Sequence, residues 1–331
     1  GKPPMLLFSC AVSSAQAPAS VPPNDWAHTV KLNNGVAMPL ISLGTWQYSP
    51  AVAESTVRLG LSLGYNHIDA ALDYKNQRSV GKALAEHDRA SYFLTTKVPS
   101  RTSASSAFAD TSKDLAADLE QLGLSYVDLM LVHFPPVGNT LHCAAMQEQW
   151  RALETFYRAK KARAIGVSNY CQSSLRCIAR AANVTPAVNQ IKYHIGMGPD
   201  PIGLRSYGDR LGIVTQAYSP LGDGTGELIS GALVTGIGAK HNKSGAQVSL
   251  RWVVGHGVPV STKSTSASLE AEDVPQGIHV PQPALERHVN PLSSAVFRCL
   301  HWIPLRCIHA LLSVRCTVPS SRPDVGAFSS A

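Results

Sequence analysis

Eight short apolar runs punctuate this chain, at about 40–46, 65–70, 92–98, 126–134, 162–168, 186–193, 212–219 and 258–263, and helical patterns fill the gaps between them. That alternation constrains the fold more than any other feature. Strands separated by helices run parallel, and parallel strands are buried on both faces, so they lack a polar–apolar alternation. These runs lack it. Leu115, Leu119 and Leu122 sit at helix spacing before Gly123, which predicts a helix with a glycine stop. Met146, Trp150, Leu153 and Tyr157 repeat the spacing. Pro50 suits the first turn of a helix that ends near Gly64. About eight strand–helix units are the number that closes a (β/α)8 TIM barrel. Ahead of them, 28–32 and 36–40 flank Asn33-Asn34-Gly35, which predicts an N-terminal β-hairpin. An open doubly wound sheet is the rival fold. It would place Gly-x-Gly-x-x-Gly after its first strand, whereas here that strand ends Leu43-Gly44-Thr45-Trp46-Gln47. The glycine-rich Leu221-Gly222-Asp223-Gly224-Thr225-Gly226 follows the seventh strand instead, a place where barrels often bind phosphate.

Composition limits the function classes. With 331 residues, 44% hydrophobic and 15% charged, the chain can bury a large core as an ordinary globular protein. No run of 18 apolar residues occurs, so neither a spanning helix nor a membrane partner is expected. The net charge is +7, but residues 275–331 hold five Arg, no Lys and two acids of that balance. Basic residues interleaved with aromatics are missing, so no nucleic-acid partner is expected. The seven cysteines are widely spaced without a Cys-x-x-Cys pair, which predicts no metal site and no disulfide framework. They read as buried or free thiols of a reducing compartment, and the chain as a cytoplasmic monomer. Residues 5–17 carry a short apolar run and a small-residue stretch, so 1–25 reads as a targeting segment or a disordered leader.

The predicted strand ends carry the chemistry. Asp69 and Tyr74 follow the second strand, Lys97 ends the third and His133 the fourth. An acid, a phenol, an ammonium and an imidazole from separate strand ends are what a parallel barrel brings to one mouth. Reducing a carbonyl requires a hydride donor and a proton donor for the developing alkoxide. Tyr74 can donate; Lys97 can lower its pKa; Asp69 can pair with Lys97; His133 can hydrogen-bond the carbonyl oxygen. Taken singly, each of these residues is more simply a surface ion pair or a satisfied core group.

The stretches Leu43-Gly44-Thr45-Trp46, Gly64 to Ala71, Tyr74-Lys75-Asn76-Gln77, Leu94 to Lys97, Leu131 to Pro135, Ile165 to Tyr170, Val188 to Ile191 and Ala217 to Gly222 together resemble the aldo-keto reductase family, over about residues 30–274. The resemblance implies a (β/α)8 barrel that reduces an aldehyde or ketone with NADPH, NADH serving less well, and no metal. It implies Asp69, Tyr74, Lys97 and His133 as the catalytic set. For the cofactor it implies Thr45, Asp69, Ser168, Asn169, Gln190, Tyr218, Ser219, Leu221, Gly222, Lys263, Ser264, Glu272 and Asp273. Ser168, Asn169 and Gln190 would read a carboxamide, Tyr218 would stack on the nicotinamide, and backbone N–H groups of Ser219, Leu221 and Gly222 would meet the pyrophosphate. Lys263 and Ser264 match the 2′-phosphate site. The substrate would meet Trp46, Tyr74, His133 and Phe134.

Departures from the family pattern are Asn66 for a common Arg, Gln77 for a common Glu, and Leu269 for an Arg that would hold the adenosine phosphate. Beyond Val274 the resemblance stops. Pro275, Pro281, Pro283 and Pro291 forbid a long regular helix there. The expected organisation is thus a leader over 1–25, a barrel over 26–274, and a divergent, irregular tail over 275–331. A cofactor-binding or scaffold protein of the same fold, its catalysis impaired by that tail, is the alternative to a working reductase.

Overall fold

The hairpin forms where Asn33-Asn34-Gly35 reverses the chain. Strand β1 (Thr29–Lys31) pairs antiparallel with β2 (Ala37–Pro39), and Leu32 N donates to Val36 O at 2.8 Å across the turn. The structure, a computed structural model, describes residues 29–137 and 142–264. The leader expected at 1–25, the positions Leu269, Glu272 and Asp273, and the tail from 275 lie outside the described residues.

All eight apolar runs become strands. In chain order the elements are β3 (Ile41–Gly44), α1 (Pro50–Ser62), β4 (His67–Asp69), α2 (Gln77–Leu84), β5 (Phe93–Val98), α3 (Ala104–Leu122), β6 (Val127–Val132), α4 (Cys143–Arg158), β7 (Ala162–Ser168) and α5 (Gln172–Ala179). They continue as β8 (Val188–Lys192), α6 (Leu204–Arg210), β9 (Val214–Tyr218), α7 (Gly226–Ile229), α8 (Ala232–Ala239), α9 (Gly245–Gly255) and β10 (Val260–Thr262). Strands β3 to β10 close a parallel barrel in sequence order, β10 returning to β3 with Val260 opposite Ile41. The helix boundaries follow local chemistry. Pro50 opens α1 behind an N-capping Ser49, and Gly123 ends α3 at φ +68°. Ser244 and Gln247 form a reciprocal capping box on α9.

Period-two alternation along the strands sets the interior. Its lower layers are mostly apolar, with His67 bonded to Thr95 Oγ1 at 2.8 Å among them. Phe93, Leu129, Leu131, Ala164 and Val188 pack with Leu32 and Met38, so the hairpin plugs the N-terminal end of the barrel. Asn33 and Asn34 fasten it there through side-chain N–H bonds to Pro186 O (3.0 Å) and Arg163 O (2.9 Å). The upper layer is polar: Asp69, Lys97, His133, Ser168 and Gln190 lie at or just past the C-terminal strand ends. The larger apolar core lies between barrel and helices, around Leu84, Leu94, Leu115, Trp150 and Val253. Among the described residues, no helix is long and apolar enough to cross a membrane.

One expectation is corrected. Cys143 and Cys177 form a disulfide between α4 and α5, where free thiols were expected. They are 34 residues apart, and only the packing of the two helices brings them together. Cys171 is free and buried.

Candidate active site

Asp69 and Lys97 end up inside the barrel because each is the last inward-facing residue of a short strand. Lys97 Nζ bonds Asp69 Oδ1, Ala70 O at 3.0 Å and the Tyr74 hydroxyl at 3.3 Å. Its side chain is 1% exposed and that of Asp69 3%. The other Asp69 oxygen accepts from Gln190 Nε2, which also donates to Gln216 Oε1 at 3.1 Å. Tyr74 rides on a single 3₁₀ turn, Leu72–Tyr74, after β4. The His133 ring stands edge-on to Tyr74, centroids 5.5 Å apart, and stacks on Phe134 at 4.3 Å. Tyr74, Lys97, Asp69 and His133 therefore meet at one mouth, as the sequence predicts.

The electrostatics correct one expectation. Burial raises the Tyr74 phenol above its ordinary value of 10.0; Lys97 pulls it down, but by less, so the net shift is upward rather than downward. For Lys97 burial is again the largest influence and lowers it, yet Asp69 and Tyr74 together outweigh burial and hold the ammonium above its usual value. Burial lowers His133, with Asp73 and Lys97 acting in opposite senses. The Asp73 carboxylate lies 3.4 Å from His133 Nδ1 without the direction of a hydrogen bond, and that buried nitrogen has no hydrogen-bond partner. A phenol backed by a carboxylate-held ammonium, beside a neutral imidazole, can give a proton to an oxygen and stabilise the phenolate left behind.

The residues expected to hold a nucleotide ring the same mouth. Asn169, at φ +64°, donates from Nδ2 to His133 O and Ser168 Oγ, both at 3.0 Å, and accepts from the Tyr218 hydroxyl at 2.7 Å. Ser168 Oγ donates to Gln190 O at 2.8 Å. Thr45 is fully buried, and its hydroxyl donates to Asp69 O at 3.1 Å, so it braces Asp69 from behind. After β9, Ser219, Gly222, Asp223 and Gly224 all have left-handed backbone, coiling the loop tightly. Of the three amides expected to face a pyrophosphate, that of Gly222 already donates to Ser219 O at 2.9 Å; Ser219 and Leu221 are the other two. Lys263 sits at the end of β10. Its Nζ bonds neutral acceptors, Gln47 Oε1 at 2.9 Å and Trp46 O at 3.3 Å, over the rings of Trp46 and Tyr48. The Ser264 carbonyl accepts from the Tyr48 hydroxyl at 2.8 Å. Trp46 is thus placed with Lys263, 49% exposed, while Phe134 is placed with His133.

Sequence reasoning missed several neighbours. Asp73 was legible as the acid beside Tyr74. Gln216 was legible as the inward residue two before Tyr218. Lys192 pairs with Asp223 and ties the end of β8 to the glycine-rich loop; the strand period places Lys192 on the same face as Gln190.

Comparison with known proteins agrees with this geometry. Residues 40–228 match the sequence model of the Aldo/keto reductase family. The chain is 38% identical over 245 residues to glyoxal reductase of Bacillus subtilis (strain 168), covering 73% of this chain and 84% of that protein. It is 35% identical over 245 residues to 9,11-endoperoxide prostaglandin H2 reductase of Trypanosoma cruzi (strain CL Brener), covering 72% and 81%. The crystal structure of an aldo/keto reductase from Brucella melitensis superposes with a TM-score of 0.72 at 34% identity, covering 80% of this chain and 97% of that one. Matches of this length, over so much of the relatives' own chains, make the protein a member of the aldo/keto reductase family, and so an oxidoreductase of carbonyl compounds.

Proposed function

We propose that this protein reduces an aldehyde or ketone to an alcohol with NADPH, and that Tyr74 is the proton donor. The observation that carries the reading is the buried Lys97, which bonds Asp69 on one side and the Tyr74 hydroxyl, 3.3 Å away, on the other. A nicotinamide held by Ser168, Asn169, Gln190 and Tyr218 would supply a hydride for the carbonyl carbon. As negative charge builds on the carbonyl oxygen, the Tyr74 O–H bond breaks and its proton passes to that oxygen. The phenolate left behind is stabilised by Lys97 and takes its next proton from solvent. Because burial holds the phenol above its ordinary value, Tyr74 stays protonated throughout the neutral range and is always loaded as a donor. Burial likewise keeps His133 neutral, so its ring can orient the carbonyl oxygen without a charge of its own.

The residues of the mouth fit a phosphorylated nicotinamide nucleotide. Ser168, Asn169 and Gln190 would face the carboxamide, Tyr218 the ring, and the Ser219 and Leu221 amides the pyrophosphate. Lys263, an exposed cation whose described bonds go to neutral acceptors, suits a 2′-phosphate and favours NADPH over NADH. Trp46 and Phe134 supply apolar surface for substrate. The name of the Bacillus relative makes small dicarbonyls such as glyoxal the first substrates to try, with an aromatic aldehyde beside them. NADPH consumption should fall by about two orders of magnitude or more in Tyr74→Phe, the usual scale for a general acid, with NADPH binding by fluorescence nearly unchanged. A Tyr74→Phe enzyme that keeps most of its turnover removes Tyr74 from the donor role.

A further inference from the structure

One buried carboxyl takes no part in this mechanism. Asp118, on α3, has no exposed surface. Along β5, Lys97 points into the barrel, so its neighbour Thr96 points outward, toward α2 and α3. Thr96 Oγ1 accepts from Gln77 Nε2 at 2.8 Å, and Gln77 Nε2 also donates to Asp118 Oδ1. Gln77 is the first residue of α2, three after Tyr74. These side chains therefore fasten together the two segments that carry Lys97 and Tyr74.

A count of donors is informative. The Gln77 amide has two N–H groups, and they are spent on Thr96 and Asp118. Two buried acceptors remain without a partner, Gln77 Oε1 and Asp118 Oδ2. An ionised Asp118 leaves both unsatisfied, a costly state in a dry site. One proton on Asp118 would turn one of these two acceptors into a donor.

We propose that Asp118 is a positioning residue for Lys97 and Tyr74, and that below neutral pH it carries a proton in a neutral acid–amide pair with Gln77. The groups around it agree. Burial pushes its carboxyl up to about 7, against the bond from Gln77, the nearby Thr96 hydroxyl and the charge of Lys97 across the barrel wall; Asp114, one turn earlier on α3 and paired with Arg101, adds to the rise. Between α4 and α3, the neutral Gln149 bonds Pro99 O and Thr111. On α2, Arg78 turns to Glu120 at the surface. Once Asp118 ionises, both buried acceptors go unmet, and a second carboxylate draws on Lys97, weakening its support of the Tyr74 phenolate. Turnover should then decline as pH rises through about 7.

The role in turnover rests on Tyr74 being the donor; the protonation does not, and the test separates them. Wild type, Asp118→Asn and Asp118→Ala are compared by urea unfolding and by kcat between pH 5 and 8.5. Asn reproduces the protonated acid, with one acceptor for Gln77 Nε2 and a donor in place of the second oxygen. The native wild type holds a proton that the unfolded chain has released above about 3.8. Its stability relative to Asp118→Asn should therefore fall as pH rises from there to about 7, and stay level beyond. At pH 6, Asp118→Asn should turn over within about twofold of wild type and lack the decline above neutrality, while Asp118→Ala loses about tenfold or more. A stability difference that does not vary with pH in that window, or an Asn variant as impaired as the Ala variant, overturns the proposal. If the stability difference varies as stated but Tyr74→Phe remains active, the acid–amide pair stands and the reading of Tyr74 falls.

Discussion

Replacing Asp69 by Asn should unfold this barrel more readily than replacing Asp69 and Lys97 together. The Lys97 side chain is 1% exposed and its one carboxylate partner is Asp69. In Asp69→Asn the ammonium keeps Ala70 O at 3.0 Å and the Tyr74 hydroxyl at 3.3 Å, but no counter-charge at contact. The single Asn oxygen must also be shared between Lys97 and Gln190, which wild type serves with two oxygens. Breaking a buried pair from one side costs about 3–5 kcal/mol. The loss has a pH signature. With Asp69 gone, burial, the largest influence and the one that lowers Lys97, is opposed by Tyr74 alone, a neutral phenol at these pH values, and the folded value is expected to fall below the ordinary 10.5. The unfolded chain then binds the proton that the folded one has shed. Stability of Asp69→Asn should therefore rise with pH, by about 1.4 kcal/mol per unit, between the lowered value and 10.5. Wild type should show nothing of the kind there, since its Lys97 is held above 10.5 and contributes fully below it. Asp69→Asn/Lys97→Met removes both charges and should recover to within about 1.5 kcal/mol of wild type while remaining inactive. Urea denaturation of the three proteins at pH 6, 7.5 and 9 measures all of this. A double variant no more stable than the single one, or a single variant with no rise toward pH 9, refutes the reasoning.

Two further outcomes concern the helical layer around the site. A Cβ at Gly81 would lie 2.8 and 2.9 Å from Leu122 C and Cα, backbone atoms that cannot swing aside; Gly81→Ala should cost about 1–3 kcal/mol in urea despite the better helix propensity of Ala, and a stabilised variant would show that α2 and α3 separate freely. Peptide mapping without reductant should recover Cys143 joined to Cys177; dithiothreitol should then lower stability by about 3–4 kcal/mol, the loop-closure value for such a spacing, whereas two free thiols at the outset would contradict the bridge.

The strand ends were legible because each follows an apolar run whose parity fixes the direction of its last residue: Asp69, Lys97 and Gln190 could be aimed inward from sequence alone. The disulfide was not, since nothing local to Cys143 or Cys177 reports that α4 and α5 meet there. Asp118 lies between these cases. It stands three residues after Leu115 and four before Leu122, on the same stripe that marks α3 as a core-facing helix, and an acid inside such a stripe is a sign of a neutral or paired carboxyl. Gln77 was visible too, as an amide where the family resemblance leads one to expect an acid. What could not be read was their meeting. The direction of the Tyr74 shift was hidden for a related reason. Charges are written in the sequence, so the pull of Lys97 on the phenol could be foreseen; burial belongs to the assembled barrel, and at Tyr74 burial is the larger of the two. A phenol so placed is a reluctant acid that stays protonated, and as the proposed donor it works only if its phenolate is stabilised as it forms. That requirement is what the buried ammonium and the carboxylate holding it are built to meet.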